Sequence, residues 1–283
     1  MDAVVLALCS AALFGAMTVL LRGPLARGLD AQLGALLTVL PAAAVGVLAA
    51  LGRGAWDDVA DVWPFLLAGV LGPGVSQFLF TLAVRDAGPS RTSVTVGTAP
   101  LFSVAIALVL LDEPLVAGVL VGAVLIVAGG VLFAGERDRP QHVKVIGLLA
   151  ALGATIVFAV RDNLVRWLAG ETDADPALAA TATLVAGGVT ILAVLLARRV
   201  PVRLRTLPAY APAGIAFGLS YVCLFEAYYR GRVTVVSPLV ATESLFGVLF
   251  SAVFLRRQEL VGPRLLAGAA LVVAGGMLIG VFR

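Results

Sequence analysis

Ten apolar runs, most close to 20 residues long and separated by short polar turns, leave this chain few ways to fold. They cover residues 3–21, 32–51, 62–84, 92–111, 115–134, 145–168, 176–197, 208–229, 233–255 and 261–282. A helix needs about 20 apolar residues to cross a hydrocarbon core about 30 Å thick. That core offers backbone groups no water, so each run must satisfy its own hydrogen bonds as a helix; the alternating pattern of a lipid-bathed barrel strand is missing. With 61% of the 283 residues hydrophobic and 13% charged, the spans consume the chain and leave no room for a soluble catalytic domain. The first run is too long for a signal-peptide core and follows only Met1 and Asp2, which marks it as a retained span.

The ten runs fall into two related sets of five. Shifted by 146 residues, 120–132 lies over 266–278 with nine of thirteen positions identical, including Val127-Ala128-Gly129-Gly130 over Val273-Ala274-Gly275-Gly276. A shift of 144 pairs Gly74 with Gly218, Ser76 with Ser220, Ala83 with Ala227, Ser93 with Ser237, Thr98 with Thr242 and Leu101-Phe102 with Leu245-Phe246. Residues 1–134 form the first repeat, 135–144 a polar connector and 145–283 the second repeat. An odd number of spans per half makes the second half enter the membrane from the opposite side, the inverted arrangement used by many secondary transporters. The expected fold is an all-α integral membrane protein of ten transmembrane helices in two inverted five-helix repeats, with both termini on one side.

Of the 20 Lys and Arg, 14 lie in the loops after spans one, three, five, seven and nine (2, 2, 3, 4 and 3). The positive-inside tendency places those loops in the cytoplasm of a plasma (inner) membrane and the termini outside. The matching loops differ accordingly: Arg53 stands among Asp57, Asp58 and Asp61 after span two, whereas Arg198, Arg199, Arg203 and Arg205 follow span seven without acids. No basic stretch interleaves with aromatics, so no nucleic-acid partner is expected. His142 stands alone in the connector, and no phosphate loop breaks the apolar pattern. Neither a metal, a cofactor, an ATP-driven pump nor an intramembrane enzyme is expected. Cys9 and Cys223 read as small packing residues, as do the glycine pairs Gly118 and Gly122, Gly214 and Gly218, and Gly276 and Gly280.

Segments 83–132 and 227–278 resemble the repeat of the drug/metabolite transporter superfamily, specifically its ten-helix EamA-type permeases. The resemblance rests on Ala83 and Gly88 with Ala227 and Gly231, the Pro100-Leu101-Phe102 and Ser244-Leu245-Phe246 turns, Glu113 and Glu259 before the last spans, and the glycine-rich final helices. It implies a central cavity between the halves, lined by spans one, three, four, six, eight and nine, and alternating access. It also implies cytoplasmic termini, against the charge bias. The sequence departs from the pattern in placing Glu243 and Ser244 where Ala99 and Pro100 stand in the first half.

A charge within hydrocarbon needs a partner or a wet cavity, so few residues are candidates for transport. Glu243 lies near the middle of span nine, five residues beyond the breaker Pro238, and is the first choice for a substrate or proton site. Arg161 and Asn163 in span six stand at a depth comparable to Glu226 in span eight. Arg161 and Glu226 are expected to pair, as a gate, as a holder of an anionic group of a zwitterionic substrate, or as a static ion pair. Gln77 and Tyr221 occupy equivalent repeat positions behind Ser76 and Ser220, which points both toward the interface between halves. Tyr228 and Tyr229 read as interfacial anchors, with Tyr228 the better cavity candidate. Pro73, within Gly72-Pro73-Gly74, and Pro100 are breakers that act as hinges or as inert kinks, and Pro238 joins them. Arg85 and Asp86 read as a solvated pair closing span three. The expected function is secondary transport, by a monomer, of a small polar or amphipathic molecule such as an amino acid or organic cation, outward and coupled to protons or to an exchanged solute. A lipid-linked substrate flippase and a membrane scaffold or assembly factor without transport are the alternatives.

Overall fold

A computed structural model describes residues 2–55, 59–88, 92, 95–134, 145–254 and 263–282. Ser93, Asp57, Asp58, Glu259 and the connector with His142 lie outside these residues. Among the described residues all regular structure is helical. Span one is Ala3–Ala26, span two Ala31–Arg53, span six Val145–Glu171, span seven Pro176–Ala197 and span eight Leu207–Arg230. Span three is built of Trp63–Gly69, a kinked stretch Val70–Val75 in which Gly72 leaves helical geometry, and Ser76–Asp86. These six are long and apolar enough to cross a bilayer, and spans four (Ala99–Leu110), five (Ala117–Ala134), nine (Val233–Val240 and Glu243–Phe254) and ten (Pro263–Phe282) supply shorter apolar helices.

Local chemistry sets the ends. Asp30 and Asp175 open spans two and seven as equivalent N-caps, Asp30 accepting from the Leu33 amide at 2.7 Å and Asp175 from the Ala177 amide at 2.8 Å. Glu113, in the turn before span five, caps a different helix. Its two oxygens accept from the Val233 and Thr234 amides at 2.8 and 2.9 Å, holding the start of span nine. Glu113→Gln keeps one carbonyl acceptor for two amides, and a loss of about 1 kcal/mol is expected in thermal unfolding of the purified protein.

Outward-facing Leu48, Val109, Val189 and Leu196 are among the many exposed aliphatic side chains, which suits lipid as the solvent. Between helices, small residues set the spacing. A Cβ on Gly122 would lie 2.7 Å from the Gly275 carbonyl, and one on Gly129 would lie 2.6 Å from the Gly268 carbonyl. Because Gly122 is the repeat partner of Gly268 and Gly129 that of Gly275, the two contacts exchange under the repeat. Spans five and ten therefore pack antiparallel about a pseudo-two-fold axis, as an inverted repeat requires.

A second exchanged contact locates the kink in span three. Gly214 approaches the Thr38 carbonyl of span two, and Gly69 approaches the Thr183 carbonyl of span seven. These pairs are related by a shift of 145, whereas Ser76 and Ser220 beyond them are related by 144. Span three thus carries one residue more than span eight within this stretch. The extra residue falls at the kink, where Gly72 takes an extended backbone that interrupts the α-helical run. The place that Gly218 fills against Ala42 and Val45 is shared in the first half by Pro73 against Gly187 and Gly74 against Thr190.

Candidate functional site

Spans four and nine are both broken at the same repeat position. Gly97-Thr98 interrupts span four and Ala241-Thr242 interrupts span nine. The hydrogen bonds around the two breaks are the same. The Thr98 hydroxyl donates to the Thr95 carbonyl at 2.7 Å, and the Thr242 hydroxyl to the Leu239 carbonyl at 2.6 Å. A hydroxyl that caps its own turn frees the backbone to change direction at midplane depth without an unpaired group. Pro238 lies inside the first half-helix of span nine, and the break falls three residues beyond it, so that Glu243 begins the second half-helix.

The breaks border an internal cavity of ≈ 40 Å³, with room for a few waters. It lies between spans one, four, six, eight and nine. Its polar lining is Ser10, Arg161, Asp162, Ser220, Tyr221, Ser237 and Glu243, and Pro100 also lines it. Arg161 is the hub: Nη2 pairs with Asp162 Oδ1 at 2.7 Å, and Nη1 donates to the Tyr221 hydroxyl at 2.6 Å. Its guanidinium carbon stands 5.1 Å from the Tyr221 ring centre and 5.4 Å from that of Phe158. Glu243 is only 5% exposed. The Ser10 and Ser220 hydroxyls meet at 3.0 Å, joining spans one and eight across the halves.

Phe14 makes edge-on contacts with Phe80, Phe158 and Phe217, at centroid distances of 5.2, 6.1 and 5.9 Å. Phe14 and Phe158 are repeat partners, and the cluster sits on the side of the cavity away from the termini. It bars that side with apolar edges.

The sequence-derived candidates separate here. Glu243, Tyr221, Arg161 and Pro100 line the cavity. Asn163 does not; its amide donates to the Ser103 and Ala159 carbonyls at 3.0 and 2.9 Å and ties span six to span four. Gln77 is fully buried outside the lining, and its amide has no partner among the described residues. Tyr228 is buried with its hydroxyl turned toward Asp162 from outside the lining, and Tyr229 stacks on Phe65 at 6.3 Å. Tyr228 is therefore no interfacial anchor. Asp86 is 6% exposed against 41% for its partner Arg85, so that pair is half-buried, with Asp86 packed on Gly147.

The expected Arg161 to Glu226 pair does not form. Five residues after Tyr221, Glu226 is turned about 140° from it around the helix axis, away from the cavity. It pairs instead with Arg53 at 2.6 Å and with Arg230. Asp162, the residue that does neutralise Arg161, was recoverable as the one acid inside the apolar run of span six. Ser10 carried no such signal.

The model of the EamA-like transporter family matches residues 1–135 and 145–281. No curated protein matches the chain. A solved structure, described as a crystal structure of a protein, is 22% identical; the match covers 99% of this chain and 97% of that one, with a TM-score of 0.78. That likeness shows the fold alone.

Proposed function

Since this chain belongs to the EamA-like transporter family, we propose that it is a secondary-active exporter of small polar or amphipathic metabolites, amino acids or organic cations, with the midplane cavity as substrate site. The observation that carries this reading is the charge count of the cavity: two carboxyls, Asp162 and Glu243, face a single guanidinium, Arg161. Arg161 is committed to Asp162 at 2.7 Å. An additional carboxylate in an apolar interior needs a counter-charge or a proton. Glu243 therefore holds a proton when the site is empty and gives it up when an ammonium group arrives, which exchanges one proton for one cationic group. Ser10, Ser220, Ser237 and Tyr221 supply neutral hydrogen-bonding groups around it. The broken helix of span nine lets Glu243 move with its half-helix as the cavity changes sides.

Proton release from purified protein, on addition of a panel of amino acids and organic cations, tests the proposal. About one proton per bound substrate is expected from the wild type, and less than about a tenth of that from Glu243→Gln. Release unchanged in the variant would move the proton site elsewhere, and release with no compound would remove proton exchange from the reading.

A further inference from the structure

On the terminal side of the membrane, the end of span eight is fastened by charge. Glu226 Oε1 accepts from Arg53 Nη1 at 2.6 Å, and Oε2 pairs with Arg230 one turn on. Arg53 Nη2 also holds Asp175, the N-cap of span seven, at 2.9 Å. Two arginines and two acids thus close a neutral network that joins span two of the first half to spans seven and eight of the second. Glu226 is buried while both arginines stand half in solvent. The same stretch is tied to span six, where Arg166 donates to the Tyr228 carbonyl at 3.0 Å.

The repeat shows that this network is particular to one side. Arg53 corresponds to Arg198 and Asp175 to Asp30, but Glu226 corresponds to Leu82 and Arg230 to Asp86. At those positions on the far side, Asp86 pairs with its neighbour Arg85, and Arg198 lies over the Phe78 ring at 5.7 Å. Fold symmetry therefore does not require the network. Nearer the far side, spans two and eight meet through Gly214 and Gly218, whose Cβ positions would fall against the Thr38 and Ala42 carbonyls. A contact that close pivots but does not part.

We infer that Glu226 is a positioning residue of a terminal-side gate: clamped between Arg53 and Arg230, it latches the last turn of span eight shut, and the helix swings about Gly214 and Gly218 when the latch breaks. The inference rests on alternating access, as proposed above. Breaking the latch favours the state open to the terminal side, because it removes contacts made only in the closed one.

The test uses full-length protein with Cys9→Ala and Cys223→Ala, and a reporter Ser237→Cys in the cavity lining. A membrane-impermeant maleimide is applied to each side in turn, in right-side-out and inverted vesicles. Arg53→Gln leaves Glu226 paired with Arg230 and Asp175 accepting from the Ala177 and Leu178 amides, and so keeps the fold, which gel filtration checks. It should raise labelling from the terminal side by about fivefold or more, and Arg53→Lys should return it toward the parent rate. Glu226→Gln should behave as Arg53→Gln does. Equal labelling in the parent, Arg53→Gln and Glu226→Gln proteins, with the reporter reachable, would overturn the latch and leave alternating access standing. A reporter reachable from neither side in every variant would overturn both.

Discussion

Arg161→Met is expected to cost about 3–5 kcal/mol of stability, because it strands Asp162 as an unpaired charge in an apolar interior. Asp162 is 5% exposed, and no other ion pair to it is described. The Tyr221 hydroxyl loses its charged donor in the same step. The double variant Arg161→Met with Asp162→Leu should recover most of the loss, since replacing a whole buried pair by apolar groups of similar volume is often neutral or stabilising. Unfolding of the purified protein, by heat or by denaturing detergent, reads the difference. Transport should not recover with stability, because the double variant also loses the charged lining of the cavity. If the double variant is as unstable as the single one, Arg161 contributes through its stacking on Phe158 and Tyr221 rather than through charge. If it transports normally, the pair is an inert brace and the site lies elsewhere.

Two adjacent glycines in span seven should respond in opposite directions. A Cβ on Gly187 would lie 2.6 Å from Pro73 Cδ and 3.0 Å from the Gly74 nitrogen, in contact with a ring and a backbone that cannot turn aside. Gly187→Ala should therefore force spans three and seven apart and cost about 1–3 kcal/mol, the usual penalty of overpacking. A Cβ on Gly188 would meet only Val39 Cγ1, at 3.5 Å, an ordinary contact. Gly188→Ala should gain about 0.5–1 kcal/mol from the lower conformational freedom of alanine in the unfolded chain. The repeat supplies the reason for the asymmetry: the equivalent contact in the other half is Gly218 against Ala42, so the small residue has changed partners where proline was introduced. A destabilised Gly188→Ala, or a neutral Gly187→Ala, would show that the helices do not pack in this register.

Apolar runs of bilayer length, the echo between halves and the odd number of spans per half were enough to specify an inverted, all-helical membrane protein. Those properties depend only on backbone hydrogen bonding in a medium without water and on counting crossings. The depth of Glu243 was legible for the same reason, since depth follows from position along a span. Partners were not. Arg161 pairs with Asp162, Glu226 with Arg53 and Arg230, and Glu113 with the start of span nine. Each of these depends on which way a helix is turned about its axis. In a soluble helix the apolar stripe reveals that rotation. Here lipid and protein interior are equally apolar, so spans such as five and ten are greasy on every side and the pattern carries no azimuth. Rotation is decided instead by close glycine contacts and by the need of each buried charge for a neighbour, and both exist only once the helices have been brought together.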